Sequence, residues 1–351
     1  MKPSNIGGQA VMEGIMMRHK DKYAVAVRRP DKEIEIKVED YKCTFGKAGF
    51  LKWPIIRGVV SFVDGLVVGT KCLMYSAEIA GDEEDEKESA KNAALSEEEL
   101  SAKKAKEAKQ FQWLLYITVA ISIIFSVAAF MLLPYALASL LRKVGVSEFG
   151  VTVAEAFVKL ALFLGYMFLI SRMKDIQRTF MYHGAEHKCI NCVEHGLPLT
   201  VENVMVSSRQ HKRCGTSFLF IVMFISIVFI MVFSIPLFMV IHVNTSFWRI
   251  VLRLLLLPLI AGVSYEFIRL AGTSESRIVS ILSRPGMMLQ HLTTKEPDDS
   301  MIEVAIASVE AVFDWKKFEN EQFGTHYELD QPKEDAEKEA NAVPEVTASR
   351  A

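Results

Sequence analysis

The chain has 351 residues, 51% of them hydrophobic, and a positive mean hydropathy of +0.22. Its 40 Lys and Arg residues nearly balance 42 Asp and Glu residues, and the formal net charge is −2. The sequence has no P-loop or dinucleotide fingerprint, and its one basic loop lies beside apolar stretches, where membrane orientation explains it better than nucleic-acid binding. We therefore expect the lipid bilayer as a partner and no nucleic acid. The sequence names no protein partner and leaves a homo-oligomer open.

Residues 1–77 are predicted to form an N-terminal cytoplasmic region that contains β-structure. Alternating apolar residues on both sides of a Pro-Asp turn predict a β-hairpin over Tyr23–Asp40 with one buried face. The glycine-rich stretch Gly7–Gly14 permits tight turns, and Glu13 within it is an additional candidate ligand. Glycines interrupt the helical apolar pattern of Phe50–Ser76, so we expect this segment to lie on the membrane surface or against the helical bundle rather than to span.

Residues 78–110 are dominated by Glu, Lys, Ala and Ser, which predicts a solvated, charged linker. Residues 111–271 are then predicted to be a four-helix membrane domain. Two runs, Trp113–Leu133 and Phe218–Ile241, contain no charged residue and are long enough to cross a hydrocarbon core of about 30 Å. With two shorter apolar stretches added, the predicted spans are Trp113–Leu133, Val151–Ser171, Ser217–Ile241 and Phe247–Ile268.

Positive charge predicts the orientation of these spans. Arg172–Cys214 contains seven Lys or Arg residues, whereas Pro134–Gly150 contains two. Because basic loops remain on the cytoplasmic side, we expect a multi-pass protein of the bacterial cytoplasmic membrane with both termini inside. The start of the chain has no apolar run of signal-peptide length, and disulfides are not expected in a reducing cytoplasm.

Residues 272–326 are predicted to be a cytoplasmic helical region. Asp299-Ser300, followed by Glu303 and by apolar residues at helical spacing up to Phe313, predicts an amphipathic helix. Residues 327–351 are polar and predicted to be a disordered tail. The expected fold is a mainly α integral membrane protein with about four transmembrane helices and a small N-terminal β-containing cytoplasmic subdomain.

The candidate site centres on the run from His183 to His187 in the segment 172–216. At positions i and i+4 of a helix, two imidazoles face the same side and can converge on one metal ion. Inverted zincins use this H-x-x-E-H pattern, with both histidines as zinc ligands and the glutamate as general base. This interpretation makes Glu186 catalytic. The alternative is that either ring only fills or caps a packed helix.

Further cysteines and histidines follow within a short distance of this run. The spacing of Cys189, Cys192, His211 and Cys214 is similar to that of a zinc ribbon, which would be a closed structural site. A catalytic zinc needs three protein ligands and an open position instead. Cys189 and Cys192 also fit a third interpretation, as plain reduced thiols.

Three motifs, in order, carry a resemblance to a known family. They are Gly7–Arg18 (GGQAVMEGIMMR), Tyr182–Lys188 (YHGAEHK) and His211–Phe218 (HKRCGTSF). Over about residues 5–318 the chain resembles the YqhQ-like family of bacterial membrane proteins, whose members are described as predicted metal-dependent enzymes.

The resemblance also ranks the candidate residues. Beyond the histidines and the glutamate of the central motif, it implies roles for Glu194, His211, Arg213 and Cys214, and it does not include Cys189 or Cys192. It therefore favours His211 or Cys214 as an additional ligand of the His183 and His187 site.

The predicted topology adds Glu266. This residue lies at the cytoplasmic end of the fourth predicted span, the same membrane face as His183 and Cys214, and is therefore a candidate metal ligand. The alternative is an ion pair with Arg269, three residues later.

The function predicted from these residues is that of a membrane-bound hydrolase that depends on a divalent metal ion, with zinc favoured by the imidazole-rich site. The alternative is a non-enzymatic membrane scaffold, metal sensor or transport component in which the metal only holds the structure together. Nothing in the sequence identifies a substrate.

Overall fold

The computed structural model describes residues 2–46, 48–81, 113–114, 117–229, 231–232, 246–273 and 276–329. Four strands form one antiparallel sheet in chain order: β1 (Gly7–Val11), β2 (Gly14–His19), β3 (Lys22–Arg28) and β4 (Ile34–Asp40). The helices of the described residues are α1 (Ile56–Ala80), α2 (Ile117–Val144), α3 (Glu148–Ile170), α4 (Lys174–Glu194), α5 (Val201–Val206), α6 (Gly215–Phe229), α7 (Ser246–Thr273), α8 (Arg277–Thr293), α9 (Asp299–Glu310) and α10 (Trp315–Phe323). The fold is mainly α with a small N-terminal sheet, as the sequence predicts.

The sheet is larger than the predicted hairpin. β3 and β4 pair from Lys22↔Asp40 to Arg28↔Ile34, which is the predicted hairpin. The glycine-rich stretch before it is not only a turn, because its residues form β1 and pair with β2 from Gly7↔Arg18 to Val11↔Gly14. Since two adjacent glycines have no side chains that could alternate, the sequence pattern of β1 does not show a strand.

Both faces of the central strands are covered by helices. Ile15 and Met17 of β2 belong to a core shared with α4 and α9, and the intervening Met16 packs with Cys72 of α1 on the other face. Successive residues of a strand point to opposite faces, so β2 supplies side chains to both cores. The predicted burial of β4 is wrong, because Ile36 and Val38 on this edge strand are 45% and 47% exposed.

Four helices of the described residues are long and apolar enough to cross a membrane: Ile56–Ala80, Ile117–Val144, Glu148–Ile170 and Leu254–Ala271. The last three correspond to predicted spans. The predicted span Ser217–Ile241 is only partly described, as the 15-residue helix α6, and residues 233–245 lie outside the described residues. The chain is therefore a membrane protein by the length and composition of its helices.

α1 differs from the other apolar helices in how it packs. Its 25 residues form a continuous helix, so the expected glycine interruptions are absent. The second half of α1 nevertheless packs against the sheet, where Cys72 is buried and a Cβ on Gly69 would lie 2.3 Å from the side-chain oxygen of Gln9. The sheet and α4 share one core, so these two elements lie on the same side of any membrane that the chain crosses.

The structure describes the predicted linker and tail only in part, and it contains the predicted amphipathic helix. Most of the predicted linker 78–110 lies outside the described residues, and so does the tail beyond residue 329. α1 continues to Ala80, past the predicted linker boundary. The amphipathic helix is α9, and the carboxylate of Asp298, one residue before the predicted cap, accepts the Met301 N–H at 3.0 Å. Met301, Ile302 and the later apolar residues of α9 are buried in the core with α4.

Candidate metal centre

The H-x-x-E-H run lies in the middle of α4, so its two histidines share one helical face. The ring centroids of His183 and His187 are 4.4 Å apart. Tyr182 and residues 184–194 are buried, which places this polar part of the helix inside the protein. A Cβ on Gly184 would lie 2.0 Å from the backbone oxygen of Lys295, so the motif needs glycine where the chain after α8 crosses α4.

Cys214 is the third side chain at this point. Its Sγ lies 3.3 Å from Nε2 of His183. Within the described residues, His183, His187 and Cys214 are the group able to hold a metal ion, with one ligand atom from each and all of these atoms within 4.8 Å of one another. Cys214 directly precedes α6, and the backbone N–H and the hydroxyl of Thr216 lie 3.4 and 3.1 Å from its sulfur. A thiolate is stabilised by such contacts at a helix N-terminus.

Hydrogen bonds set the orientation of both imidazoles. Nδ1 of His183 lies 2.8 Å from the carbonyl oxygen of Thr293, and Nδ1 of His187 lies 2.6 Å from that of Arg209. A carbonyl oxygen can only accept, so each Nδ1 donates its hydrogen and each Nε2 is the atom with a lone pair for a metal. Nε2 of His187 is buried and has no hydrogen-bond partner among the described residues.

The donor set fits a zinc ion. Two imidazole nitrogens and one thiolate are ligands that zinc prefers, and three protein ligands leave one position open. A buried Nε2 without a partner is also costly unless something binds it, which a metal ion would do. The residues present therefore fit the implied metal.

The pKa values of the metal-free site show how strongly these groups interact. Burial raises the pKa of the Cys214 thiol, but its contacts with His183 and His187 outweigh burial and bring the pKa well below its usual range. Burial lowers the pKa of His183, and the neighbouring Cys214 sulfur outweighs this and raises it to about 9. The site therefore favours a thiolate, the form of cysteine that binds metals.

Glu186 lies beside the three ligands without belonging to them. Its Oε2 is 3.9 Å from Nε2 of His183, and the residue is 5% exposed. β1 covers it from the other side: a Cβ on Gly8 would lie 2.9 Å from both Cγ and Oε1 of Glu186. Glycine at position 8 thus lets the strand approach the carboxylate, a role that no sequence pattern in β1 reveals.

The segment that leads to Cys214 is held by side chains of α4 through its backbone carbonyl groups. Lys188 donates to the carbonyl oxygens of Met205 at 2.6 Å and Ser207 at 3.0 Å. Asn191 donates to those of Ser208 at 2.6 Å and Gln210 at 2.9 Å. Each backbone group held in this way fixes the path of the chain, so α4 both supplies two ligands and positions the third.

Glu194 and its neighbours form a second buried group next to the site. The Glu194 carboxylate is fully buried and accepts hydrogen bonds from the backbone N–H of Ser4 at 2.7 Å, from the Ser4 hydroxyl at 2.8 Å and from the Arg213 guanidinium. Burial alone would raise its pKa, but contacts with His211, Arg213 and Ser4 lower it to about 2. Glu194 and Arg213 therefore pair with each other rather than with the ligand cluster.

His211 lies near the cluster but outside it. Its ring centroid is 5.7 Å from that of His187, and its Nε2 faces Oε2 of Glu194 at 3.6 Å. Gln290 holds its backbone, because the Gln290 side chain accepts the His211 N–H at 2.9 Å and donates to the His211 carbonyl at 2.8 Å. Of the two additional ligands that the family resemblance favours, the structure places Cys214 in the cluster.

Glu266 has a different set of partners. Both of its carboxylate oxygens are bound by the guanidinium of Arg57, at 2.6 and 2.5 Å, and Arg269 is farther away at 3.9 Å. The ion pair lies where α1 crosses α7, and a Cβ on Gly58 would lie 3.0 Å from the Cα of Gly262 there. The expected convergence of Glu266 with His183 is not found, because the carboxylate neutralises an arginine of α1.

Glu13 connects the sheet to α4. It occupies the β1–β2 turn with a φ of +49°, and its carboxylate accepts hydrogen bonds from the guanidinium of Arg178 and, at 3.3 Å, from the hydroxyl of Tyr182. Glu13 therefore orients the helix turn just before His183 and does not join the ligands.

Cys189 and Cys192 are buried thiols in the core shared by α4 and α9. Burial raises the pKa of both, that of Cys192 to about 11. A thiol held neutral in this way packs as a small apolar side chain. Within the described residues neither joins the ligand cluster, which agrees with the interpretation as reduced thiols and not with a zinc ribbon.

Two comparisons with known proteins match the chain. The family model described as "Protein of unknown function (DUF1385)" matches residues 53–315. The chain belongs to this family. The chain is also 37% identical to the Bacillus subtilis (strain 168) protein described as "Uncharacterized protein YqhQ" over 322 residues, which cover 87% of this chain and 91% of that protein. No solved structure matches the chain.

These matches confirm the YqhQ-like resemblance. The family model covers only some of the residues of the candidate site. The region matched by the family model includes the three ligands and Glu186, whereas Ser4, Gly8 and Glu13 lie before it. The supporting contacts of the N-terminal sheet are therefore visible in the structure and not in the family match.

The close approach of β1 to Glu186 gives a testable prediction. Gly8→Ala should displace the Glu186 carboxylate and lower the free energy of unfolding by about 1–3 kcal/mol, the usual cost of overpacking. Gly7→Ala is the matched control, since a Cβ there meets nothing within 4 Å. Thermal unfolding of both variants in detergent checks this, and equal melting temperatures would contradict the proposed contact.

Proposed function

We propose that the protein is a membrane-bound, metal-dependent hydrolase. His183, His187 and Cys214 would hold a divalent metal, zinc by the chemistry of the donor set, and Glu186 would act as general base. The observation that supports this most is the convergence of three ligand atoms within 4.8 Å, with a carboxylate that is not a ligand beside them. A hydrolytic metal site needs this combination of three ligands, an open position and a nearby base.

When bound, the metal supplies a water molecule whose pKa is lowered toward neutrality. The protein groups then have separate tasks. Thr293 and Arg209 hold the two imidazoles in the tautomer that presents Nε2. Glu186 is placed to accept a proton at a carboxylate oxygen. Gly8 lies on the other side of this carboxylate, since a Cβ there would lie 2.9 Å from its Oε1.

The position of the cluster in the fold supports a substrate at the membrane. Cys214 immediately precedes α6, and the chain before α4 leaves the apolar helix α3 at Ile170. The ligands thus lie where the membrane helices meet the sheet. A peptide or lipid with a hydrolysable bond near the membrane surface is the substrate class that this position favours.

The second candidate function is a structural or regulatory metal site. Its supporting observation is burial: His187, Glu186 and Cys214 are 1%, 5% and 5% exposed. A metal held there would fix α4, the segment before α6 and the end of α8 relative to one another without contacting a substrate. The role of Glu186 separates the two candidates, because a general base is needed for hydrolysis and not for metal binding.

The corresponding prediction concerns metal content and activity together. His183→Ala should lose the metal, whereas Glu186→Gln should keep about one equivalent and lose activity by roughly 10²–10⁴-fold, the contribution of general-base catalysis. Metal analysis of purified protein and complementation of a deletion strain are the measurements. Glu202→Gln, which changes an exposed glutamate, is the control.

Two outcomes would change the assignment. Full complementation by Glu186→Gln, with none by His183→Ala, would exclude the hydrolase and leave the structural or regulatory metal site. Retention of one equivalent of metal by His183→Ala would contradict the metal centre itself.

We further propose that the sheet, α4 and α9 lie in the cytoplasm of a bacterium and that both termini are inside. The packing supports a common side for these elements, and the excess of basic residues in 172–214 supports the cytoplasmic side. The turn between α2 and α3 would then face outward.

Labelling of single introduced cysteines in intact cells tests this orientation. In a Cys43→Ser background, Lys317→Cys on α10 should react with a membrane-impermeant reagent only after lysis, and Val144→Cys should react in intact cells. Both positions are exposed. The reverse pattern would place the metal centre outside the cell.

A further inference from the structure

The surface of α8 (Arg277–Thr293) is of three kinds: buried, apolar and exposed, and basic and exposed. One face is buried against the protein and consists of Ser283, Gly286, Leu289, Gln290 and Thr293. These residues contact the candidate site and its surroundings: the Thr293 carbonyl binds His183, and Gln290 binds both His211 and the hydroxyl of Ser217. Leu289 is the one large apolar side chain among these buried residues, so most of the apolar side chains that make this helix amphipathic are not buried against the described protein.

The second face of α8 is apolar and exposed. Ile278, Ile281, Leu282 and Met288 are 71%, 58%, 48% and 68% exposed. They lie at positions i, i+3, i+4 and i+10, which form one stripe along the helix. An exposed apolar stripe of this kind needs an apolar environment.

The third face contains two arginines. Arg277 and Arg284 are exposed, and neither has an ion-pair partner among the described residues. They are seven residues apart, so their positions differ by about 10.5 Å along the helix axis. If the axis were perpendicular to a membrane, one of them would lie about 10 Å deeper than the other and close to hydrocarbon, at a high cost. Both can reach the headgroups at the same depth only when the axis is parallel to the membrane surface.

The position of α8 in the chain agrees with this orientation. It follows the apolar helix α7, whose candidate span ends at Ala271, after a gap of a few residues. It is followed by Thr294 and Lys295, and the Lys295 N–H donates to the carbonyl of Phe180 in α4. α8 therefore connects the membrane helices to the core that contains the sheet.

We propose that α8 is an in-plane membrane-surface helix that binds anionic lipid headgroups. Its apolar stripe enters the boundary of the acyl chains, and Arg277 and Arg284 contact lipid phosphates. An apolar face next to a cationic one is the pattern that binds anionic membrane surfaces. Through Thr293 and Gln290 the same helix holds the candidate site at the membrane surface. This surface does not depend on the proposed metal or reaction.

The charge part of the proposal is tested with short-chain phosphatidylglycerol titrated into the detergent-solubilised full chain. Each basic side chain near an anionic surface contributes about fivefold in affinity, so Arg277→Gln with Arg284→Gln should weaken binding roughly 30-fold. Arg277→Lys with Arg284→Lys should retain most of it. The matched control is Lys22→Gln with Lys317→Gln, which removes the same charge from exposed positions outside α8 and should bind like the unchanged chain.

Several outcomes would overturn this part. One is equal affinity in the α8 variant and the unchanged chain, and another is an equal loss in the control variant. Equal binding of phosphatidylcholine would exclude a headgroup charge as the determinant. Competition by inorganic phosphate at matched concentration would identify a free-anion site instead of a lipid surface.

The location is tested with a spin label attached through Met288→Cys, in a Cys43→Ser background and in lipid nanodiscs. We expect the label to be accessible to oxygen and shielded from a water-soluble nickel relaxant, whereas a label attached through Lys317→Cys should show the reverse. A water-exposed label at position 288 would contradict the proposal. Strong coupling between two labels would show that a second copy of the chain covers this face.

Discussion

The burial of a polar face of α4 is the constraint on which the rest of the structure depends. Glu186, His187, Lys188, Asn191 and Glu194 lie within three helical turns, and each is at most 5% exposed. Burying such groups is costly unless they find partners. Most of the partners are backbone groups, and they come from segments distant in sequence.

These partners form the site. The carbonyl groups of residues 205–210 bind Lys188, Asn191 and His187, and this brings the following residues, up to Cys214, back to α4. Ser4 and Arg213 donate hydrogen bonds to Glu194, and the Thr293 carbonyl accepts one from His183. The hydrogen bonds that offset the cost of burying the polar groups of α4 also hold the segment that leads to Cys214, the third ligand. A change in any of these partners should therefore affect both stability and the geometry of the ligands.

The N-terminal sheet and the helices α6 and α8 contact different parts of the site. β1 packs closely against Glu186 at Gly8, and Glu13 orients α4 by its ion pair with Arg178. α6 and α8 contact the ligands with their ends, at Cys214 and Thr293. The candidate site thus lies between the layer formed by the sheet and α4 and the ends of α6 and α8, and neither part contains all of the groups.

Much of this arrangement could be predicted from local sequence, and the rest could not. Periodicity and charge-free runs predicted the hairpin of β3 and β4, α9 and three of the apolar helices, and i, i+4 spacing predicted the facing rings of His183 and His187. The pairing of Glu266 with Arg57 depends on how α1 crosses α7, which no local pattern encodes. β1 was missed because glycines replace the alternating side chains, and Thr293 and Arg209 contribute only carbonyl oxygens, which every residue has. Cys214 was one of several alternatives until the fold placed its sulfur beside His183.

The identity of the third ligand is the point on which the account depends most, and X-ray absorption spectroscopy of the zinc-loaded protein tests it directly. We expect one sulfur at about 2.3 Å together with nitrogen or oxygen neighbours at about 2.0–2.1 Å. Cys214→Ser should remove the sulfur signal, while Cys192→Ser should leave it unchanged. A shell without sulfur, or one with two or more sulfurs, would contradict a centre made by His183, His187 and Cys214.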